Sequence, residues 1–399
     1  MTKSQEEILA LRIEEPHEIL QLISDKSDRI VFSNSFGKED QVISQMIADN
    51  HIPIDVAHIY FATDKRKYII ADTPGHVEYT RNMITGASNA QVFMILIDAR
   101  NGIVEQIKRH LFIASLMEIN EILFIINKMD LVDHSEQVYN QILEDLKPLC
   151  EKFNLEDRNC SFFPISAKFG DNVVNRSDNM SWYTGQTVIQ HLEAIEDENF
   201  DELPFRFNVQ YVIRPHSDEF HDFRGYAGKV ISGKVKLRDT IAVAESAQAS
   251  RIKAIHRYKD QLLEAKAGDA IVLELEDDID ISRGDLLQLF DQPATGQKKI
   301  DSRMCWLNVN PLNPAQKYVL RHGSFSKQVK VDAVQHQLDF ETLEFARNDS
   351  PLKVNGIAEV ILMTAAPVVL DNYKTNPKNG SFILLDPLSN ATVAVGFVS

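Results

Sequence analysis

The sequence predicts a doubly wound α/β domain, incomplete at its N-terminus, followed by two antiparallel β-barrel domains. Three observations carry this. Between residues 56 and 202, near-continuous apolar runs alternate with amphipathic stretches. After Leu203-Pro204 the pattern changes to apolar–polar alternation punctuated by glycine. The 399 residues are also too many for one core and suit two or three domains.

The apolar runs are Tyr68-Ile69-Ile70-Ala71, Val92-Phe93-Met94-Ile95-Leu96-Ile97 and Ile122-Leu123-Phe124-Ile125-Ile126. Such runs suit strands of a parallel sheet covered on both faces. The stretches 104–117 and 137–150 read as the helices between them. Downstream, Phe205, Phe207, Val209 and Tyr211 alternate with Arg206, Asn208 and Gln210, and similar alternation recurs at 270–275 and 329–334. Gly228, Gly233, Gly268, Gly284 and Gly296 punctuate these strands. Asp291-Gln292-Pro293-Ala294 reads as the linker between the barrels. The expected division is therefore 1–55, 56–202, 203–292 and 295–399.

The front segment has its own pattern. Ile8, Leu9, Leu11, Ile19, Leu20 and Ile23 fall on helical spacings broken by Pro16. Arg29-Ile30-Val31-Phe32 reads as a strand, Ser33-Asn34-Ser35-Phe36-Gly37 as a turn, and residues 39–48 as a helix.

Bulk properties narrow the function. Hydrophobic content of 44% and charged content of 25% are those of a soluble globular protein. A net charge of -16 argues against a basic nucleic-acid face. No apolar run approaches the ~20 residues of a membrane span. The opening residues, Met1 to Glu7, hold no apolar signal core, so a cytoplasmic protein is expected. Cys150, Cys160 and Cys305 form no CxxC pair and are expected to be small buried hydrophobes.

Three short motifs carry chemistry, each at the end of an expected strand. Asp72-Thr73-Pro74-Gly75-His76 comes first. A carboxylate at Asp72 suits Mg²⁺ held through water. Gly75 has no Cβ and lets its backbone N–H approach a terminal phosphate, and His76 is placed to orient an attacking water. Asn127-Lys128-Met129-Asp130 comes next. The Asp130 carboxylate can accept from both N1–H and the 2-amino group of guanine, and adenine offers neither donor. Asn127 suits the base edge, and the Lys128 stem can cover the ring. Ser166-Ala167-Lys168 is third, with a backbone that can reach the guanine O6. Each motif alone also reads as a polar strand-to-helix turn. The ordered set, with 55 residues from Asp72 to Asn127 and 39 from Asn127 to Ser166, is far more specific.

With these motifs the chain resembles a translational-type GTPase of the elongation factor Tu superfamily. Residues 63–83, Asp222-Phe223-Arg224-Gly225-Tyr226-Ala227-Gly228, and 380–393 resemble, more narrowly, the GTP-binding large subunit of sulfate adenylyltransferase. The resemblance covers about residues 55–399. It implies a G domain that binds GTP and Mg²⁺, with His76 catalytic. It also implies a small catalytic partner subunit that makes adenylyl sulfate from ATP and sulfate. The last two segments speak against a translation elongation factor.

The resemblance fails at the front. The family's phosphate loop, Gly-x-x-x-x-Gly-Lys-Ser/Thr, cradles phosphates on backbone N–H groups and binds Mg²⁺ through its hydroxyl. Gly37-Lys38 is the nearest match here, with Phe32 where the first glycine belongs and Glu39 where the hydroxyl belongs. Pro53 stands where the family carries its first-switch threonine. Residues 30–42 instead resemble the N-terminal nucleotide loop of phosphoadenylyl-sulfate reductase, which implies a fusion near Ile54-Asp55-Val56. That family's catalytic cysteine context is absent, so reductase chemistry is not expected. The segment 29–48 is a candidate to stand in for the missing strand, loop and helix. Two outcomes then compete: a subunit with impaired GTP turnover, or a folded binding remnant with none.

Overall fold

A computed structural model describes residues 57–73, 80–87, 90–196, 198–215, 223–258 and 260–399. The expectations for residues 1–56 and for Pro74, Gly75 and His76 fall outside these. The chain divides into two compact units at Ile195/Glu196.

In the first unit, β1 (Ala57–Ala62) and β2 (Lys67–Asp72) form an antiparallel ladder that pairs Ala57 with Asp72 and Ala62 with Lys67. Strands β3 (Val92–Asp98), β4 (Glu121–Asn127) and β5 (Asn159–Pro164) form a parallel sheet in that order. Helices α1 (Thr80–Ala87), α2 (Glu105–Leu116), α3 (Glu136–Lys152) and α4 (Val188–Ala194) connect or follow these strands. Local chemistry sets the helix starts. The Ser135 side chain accepts from the Val138 N–H at the start of α3. Thr187 and Gln190 form a reciprocal capping box at α4, which satisfies two otherwise orphaned donors.

The continuous apolar runs behave differently by position. In β4, Ile122 to Ile126 are all buried, as a central parallel strand requires. Leu123, Ile125, Phe163 and Ile165 pack against Val188 and Leu192 of α4. Burying each such side chain contributes about 1.5–3 kcal/mol. In β2 and β3 the expectation of cover on both faces does not hold. Ile69 is 65% exposed, and Ile70, Met94 and Leu96 are exposed too. Among the described residues β2 pairs with β1 alone and β3 with β4 alone. Position in the sheet, not composition, decides burial here.

The second unit holds two closed six-stranded antiparallel barrels, as the alternation predicts. The first is built from β6 (Arg206–Ile213), β7 (Gly225–Ser232), β9 (Thr240–Val243), β10 (Ala249–Arg257), β13 (Ala270–Leu275) and β14 (Leu286–Leu289). Pairing runs β10-β13-β7-β6-β14-β9 and closes from β9 to β10. Short strands β8 (Lys234–Lys236), β11 (Asp260–Leu262) and β12 (Glu264–Lys266) lie outside the ring. The second ring takes β15 (Gln297–Trp306), β16 (Lys317–His322), β17 (Phe325–Asp339), β19 (Ile357–Val368), β20 (Ser381–Leu385) and β21 (Thr392–Val398), closed by β16 to β17. Closure removes the edges an open sheet would present. Gly233, at φ 74, makes the turn after β7, and a Cβ there would meet the Phe205 Cα at 2.5 Å.

One reading of β6 needs correction. Phe205, Phe207 and Val209 are buried as expected, yet Arg206 and Asn208, placed on the polar face, are buried as well. The second barrel covers that face. Arg206 Nη2 donates to Asp371 Oδ1 at 3.3 Å, and Ser324 Oγ donates to Asn208 Oδ1 at 3.2 Å. Tyr211, expected inward, is 64% exposed.

Candidate guanine-nucleotide site

Parallel register aligns the carboxyl ends of the sheet. Asp98 lies opposite Asn127, and Ile126 opposite Pro164. Ligands of open α/β sheets bind outside these ends, and the loops that leave β4 and β5 meet there.

Asn127 joins the two loops. Its Oδ1 accepts from the Lys128 N–H at 2.7 Å and from the Ala167 N–H at 3.0 Å. Lys128 takes a left-handed conformation, φ 66, which turns the chain sharply off the strand. Met129 then points inward, fully buried, and its N–H donates to the Ile165 carbonyl at 3.1 Å. Asp130 is left facing Ser166, whose Oγ donates to Asp130 Oδ1 at 2.6 Å. Ser166 is itself buried, and its carbonyl accepts from the Gly170 N–H at 2.8 Å. The structure thus brings Asn127, Lys128, Asp130, Ser166 and Ala167 into one hydrogen-bonded group. Lys168 stands beside it with Nζ 4.9 Å from the centre of the Phe169 ring.

A residue the sequence reading passed over completes the arrangement. Asp98, the last residue of β3, accepts from Lys128 Nζ at 2.8 Å and from Arg100 Nη2 at 2.6 Å. Arg100 first, and Lys128 after it, hold its carboxyl well below the usual carboxylate range. The pair lays the lysine stem toward β3. A signal was present: Asp98 closes its apolar strand as Asp72 closes β2.

The phosphate end differs. Asp72 ends β2 and Thr73 follows it, both partly buried. Among the described residues, no group of three or more His, Cys, Asp or Glu could hold a metal ion. For Mg²⁺ the described residues offer Asp72 and Thr73 and no complete donor set.

The family described as elongation factor Tu GTP binding domain matches residues 41–265, and GTP-eEF1A C-terminal domain-like matches residues 299–399. The first match opens ahead of the junction expected near residues 54–56. Sulfate adenylyltransferase subunit 1 of Bacteroides thetaiotaomicron is 40% identical over 358 residues, which cover 87% of this chain and 72% of that protein. The chain belongs to the sulfate adenylyltransferase subunit 1 family. A second member, the bifunctional enzyme CysN/CysC of Mycobacterium tuberculosis, is 42% identical over 352 residues, and the chain spans 56% of its length. Among solved structures, sup35 complexed with GMPPNP is similar with 22% identity and a TM-score of 0.46, covering 90% of this chain and 86% of that one. Within the described residues, no helix is long and apolar enough to cross a membrane.

Proposed function

We propose that the chain is the guanine-nucleotide-binding subunit of a sulfate adenylyltransferase, with strongly reduced capacity to turn GTP over. The observation that carries the reading is the Asn127 side chain, which ties the Lys128 and Ala167 loops into one frame while Ser166 fixes Asp130. A preorganised carboxylate of this kind suits the two donors on the guanine edge. Asp72, Thr73, Pro74, Gly75 and His76 are assigned to the phosphate side, with Asp72 near Mg²⁺ through water and His76 toward the attacking water.

The partner is a small catalytic subunit, cytoplasmic like this chain, which makes adenylyl sulfate from ATP and sulfate. The reduced turnover follows from the front segment, where Phe32, Glu39 and Pro53 replace a phosphate-loop glycine, a phosphate-loop hydroxyl and the first-switch threonine. The resemblance of residues 30–42 to phosphoadenylyl-sulfate reductase supports reading residues 1–55 as a replacement of that loop. The stretch 29–32 is apolar enough to supply one further strand of the sheet.

Competition of GDP and ADP against a fluorescent guanine nucleotide tests the reading. GDP is expected to displace at least tenfold better, a difference of about 1.4 kcal/mol. Equal displacement by both would remove the guanine site. A second reading, a binding remnant with no turnover at all, rests on the same missing loop and is separated from the first by whether hydrolysis is measurable.

A further inference from the structure

The loops that leave β4 and β5 meet a second time, beyond the contact of Ser166 with Asp130. In the first loop a short 3₁₀ turn, Met129–Val132, leads into Asp133 and His134, both left-handed at φ 51 and φ 52. The His134 N–H donates to the Met129 carbonyl at 2.8 Å, and the His134 carbonyl accepts from Trp182 Nε1 at 3.0 Å. In the second loop Asp171 and Ser166 pair through their backbones. The Asp171 N–H donates to the Ser166 carbonyl at 3.1 Å, and the Ser166 N–H donates to the Asp171 carbonyl at 3.3 Å. Main chain thus ties each residue to one that shapes the base site: His134 to Met129, next to Asp130, and Asp171 to Ser166.

The two side chains face each other. His134 Nε2 lies 3.5 Å from Asp171 Oδ2. The other carboxylate oxygen, Oδ1, accepts from Ser177 Oγ at 2.7 Å. Nε2 and Oδ2 are both buried, and among the described residues neither has a hydrogen-bond partner. A buried carboxylate oxygen left alone is costly, so the imidazole opposite is its counterpart. We propose that His134 and Asp171 are positioning residues of the guanine site, an imidazole–carboxylate clip that holds the two loops at the spacing where Ser166 reaches Asp130. The inference rests on the guanine reading above. The clip acts on the base through Met129 and Ser166, and the property it sets is recognition of the 2-amino group, which depends on the aim of the Asp130 carboxylate.

The full chain, titrated with GDP and with inosine diphosphate, which lacks the 2-amino group, tests this. The unaltered chain is expected to bind GDP about tenfold more tightly than inosine diphosphate. His134→Asn suits the left-handed backbone but is too short to reach Asp171, and is expected to bring the ratio to within about twofold of unity. Asp171→Ala is expected to do the same, and the double variant to fall no further, as partners in one contact do. His134→Gln places an amide donor near the position of Nε2 and is expected to keep the ratio. Asp171→Ala also strips Ser177 of its acceptor; where it fails to fold, His134→Asn and His134→Gln carry the test alone. A merely structural role would weaken both nucleotides alike and leave the ratio unchanged. Variants that do so, or a His134→Gln chain no better than His134→Asn, overturn the clip, and the guanine reading stands as long as GDP still outcompetes ADP. An unaltered chain that separates GDP from ADP but not from inosine diphosphate also overturns the clip. One that separates GDP from neither removes the guanine site and the clip with it.

Discussion

The hydroxyl of Ser166 sits 2.6 Å from Asp130 Oδ1 across 36 residues of chain. Such a hydrogen bond to a charged group contributes about 1.5–3 kcal/mol. It occupies one carboxylate oxygen and orients the other. Ser166→Ala is expected to weaken GDP binding about tenfold with little change in the fold, because the side chain lost is small. Asp130→Ala is expected to abolish the preference of GDP over ADP. Titration of both variants with a fluorescent guanine nucleotide measures this, and an Asp130→Ala chain that still prefers GDP would remove Asp130 from the base site.

Asp98 tests how far the lysine is held in place. Lys128 is 42% exposed at its side chain, so the ion pair contributes only ~0–1 kcal/mol to stability. Asp98→Asn is therefore expected to leave the melting temperature nearly unchanged and to weaken guanine binding a few-fold as the Lys128 stem loosens. The Asp98 carboxyl is held below its usual value, so its contribution is complete above the unfolded value of 3.8. It is lost only as pH falls further, through the folded value. No Asp98-dependent change is expected between about pH 5 and pH 8, and a variant-specific change in stability inside that window would contradict the assignment.

The barrels of the second unit are joined by charge as well as by apolar packing. Asp371 accepts from Arg206, from Asn376 Nδ2 at 2.8 Å and from Asn379 Nδ2 at 3.0 Å, and the Arg206 side chain is 4% exposed. Removing one partner of such a pair leaves a buried charge and costs about 3–5 kcal/mol. Asp371→Ala is expected to lower stability by roughly this amount. The double change Arg206→Met with Asp371→Leu is expected to restore part of the loss. Denaturant unfolding followed by tyrosine and tryptophan fluorescence reports it, and a double variant worse than the sum of its singles would mean the pair does not act as a unit.

His322 lies beside this network, with Nδ1 2.7 Å from the Ser381 carbonyl, to which it donates. Burial lowers its pKa below 6.5, against the pull of Ser381, Asn379 and Asp371. The unfolded chain takes up a proton near 6.5 while the folded ring stays neutral. Its stabilising effect is therefore complete above that pH and is lost as pH falls below it, until the folded ring titrates too. The melting temperature of His322→Asn is expected to fall less than that of the unaltered chain between about pH 7.5 and pH 5.5. Identical slopes would show that the ring titrates alike in both states.

Much of this was legible because the period of the apolar pattern reports burial. The run at 122–126 gave β4, and the alternation from Phe205 gave a barrel strand. What was not legible depended on a second layer. Arg206 and Asn208 look like a solvent face in β6 until another barrel covers them. Ile69 and Ile70 look like a buried strand, yet both are exposed, and among the described residues their strand pairs with β1 alone. At the site, Asn127, Asp130 and Ser166 announced themselves by spacing. Asp98 offered only its place at the end of an apolar strand, a weak signal until Lys128 reaches it.

Turnover is the sharpest test. A phosphate loop supplies several backbone N–H contacts, a lysine and a Mg²⁺ hydroxyl, and hydrogen bonds to charged groups contribute about 1.5–3 kcal/mol each. Losing several of them weakens triphosphate binding by orders of magnitude, since ~1.4 kcal/mol is tenfold. The guanine end does not depend on these groups, because its hydrogen bonds run among Asn127, Asp130, Ser166 and Ala167. GDP and GTP are therefore expected to bind with nearly equal, weak affinity, as the terminal phosphate adds little. Phosphoryl transfer relies almost wholly on positioning and charge stabilisation, so hydrolysis is expected near background, with adenylyl sulfate synthesis by the complex independent of added GTP. Replacing residues 1–55 with a complete phosphate loop and first switch is expected to restore both the preference for GTP over GDP and its hydrolysis. Phosphate-release assays with and without the small subunit decide the matter. Robust turnover that Asp130→Ala abolishes, in the chain as it stands, would mean that the stretch Ser33 to Glu39 forms a phosphate cradle of its own.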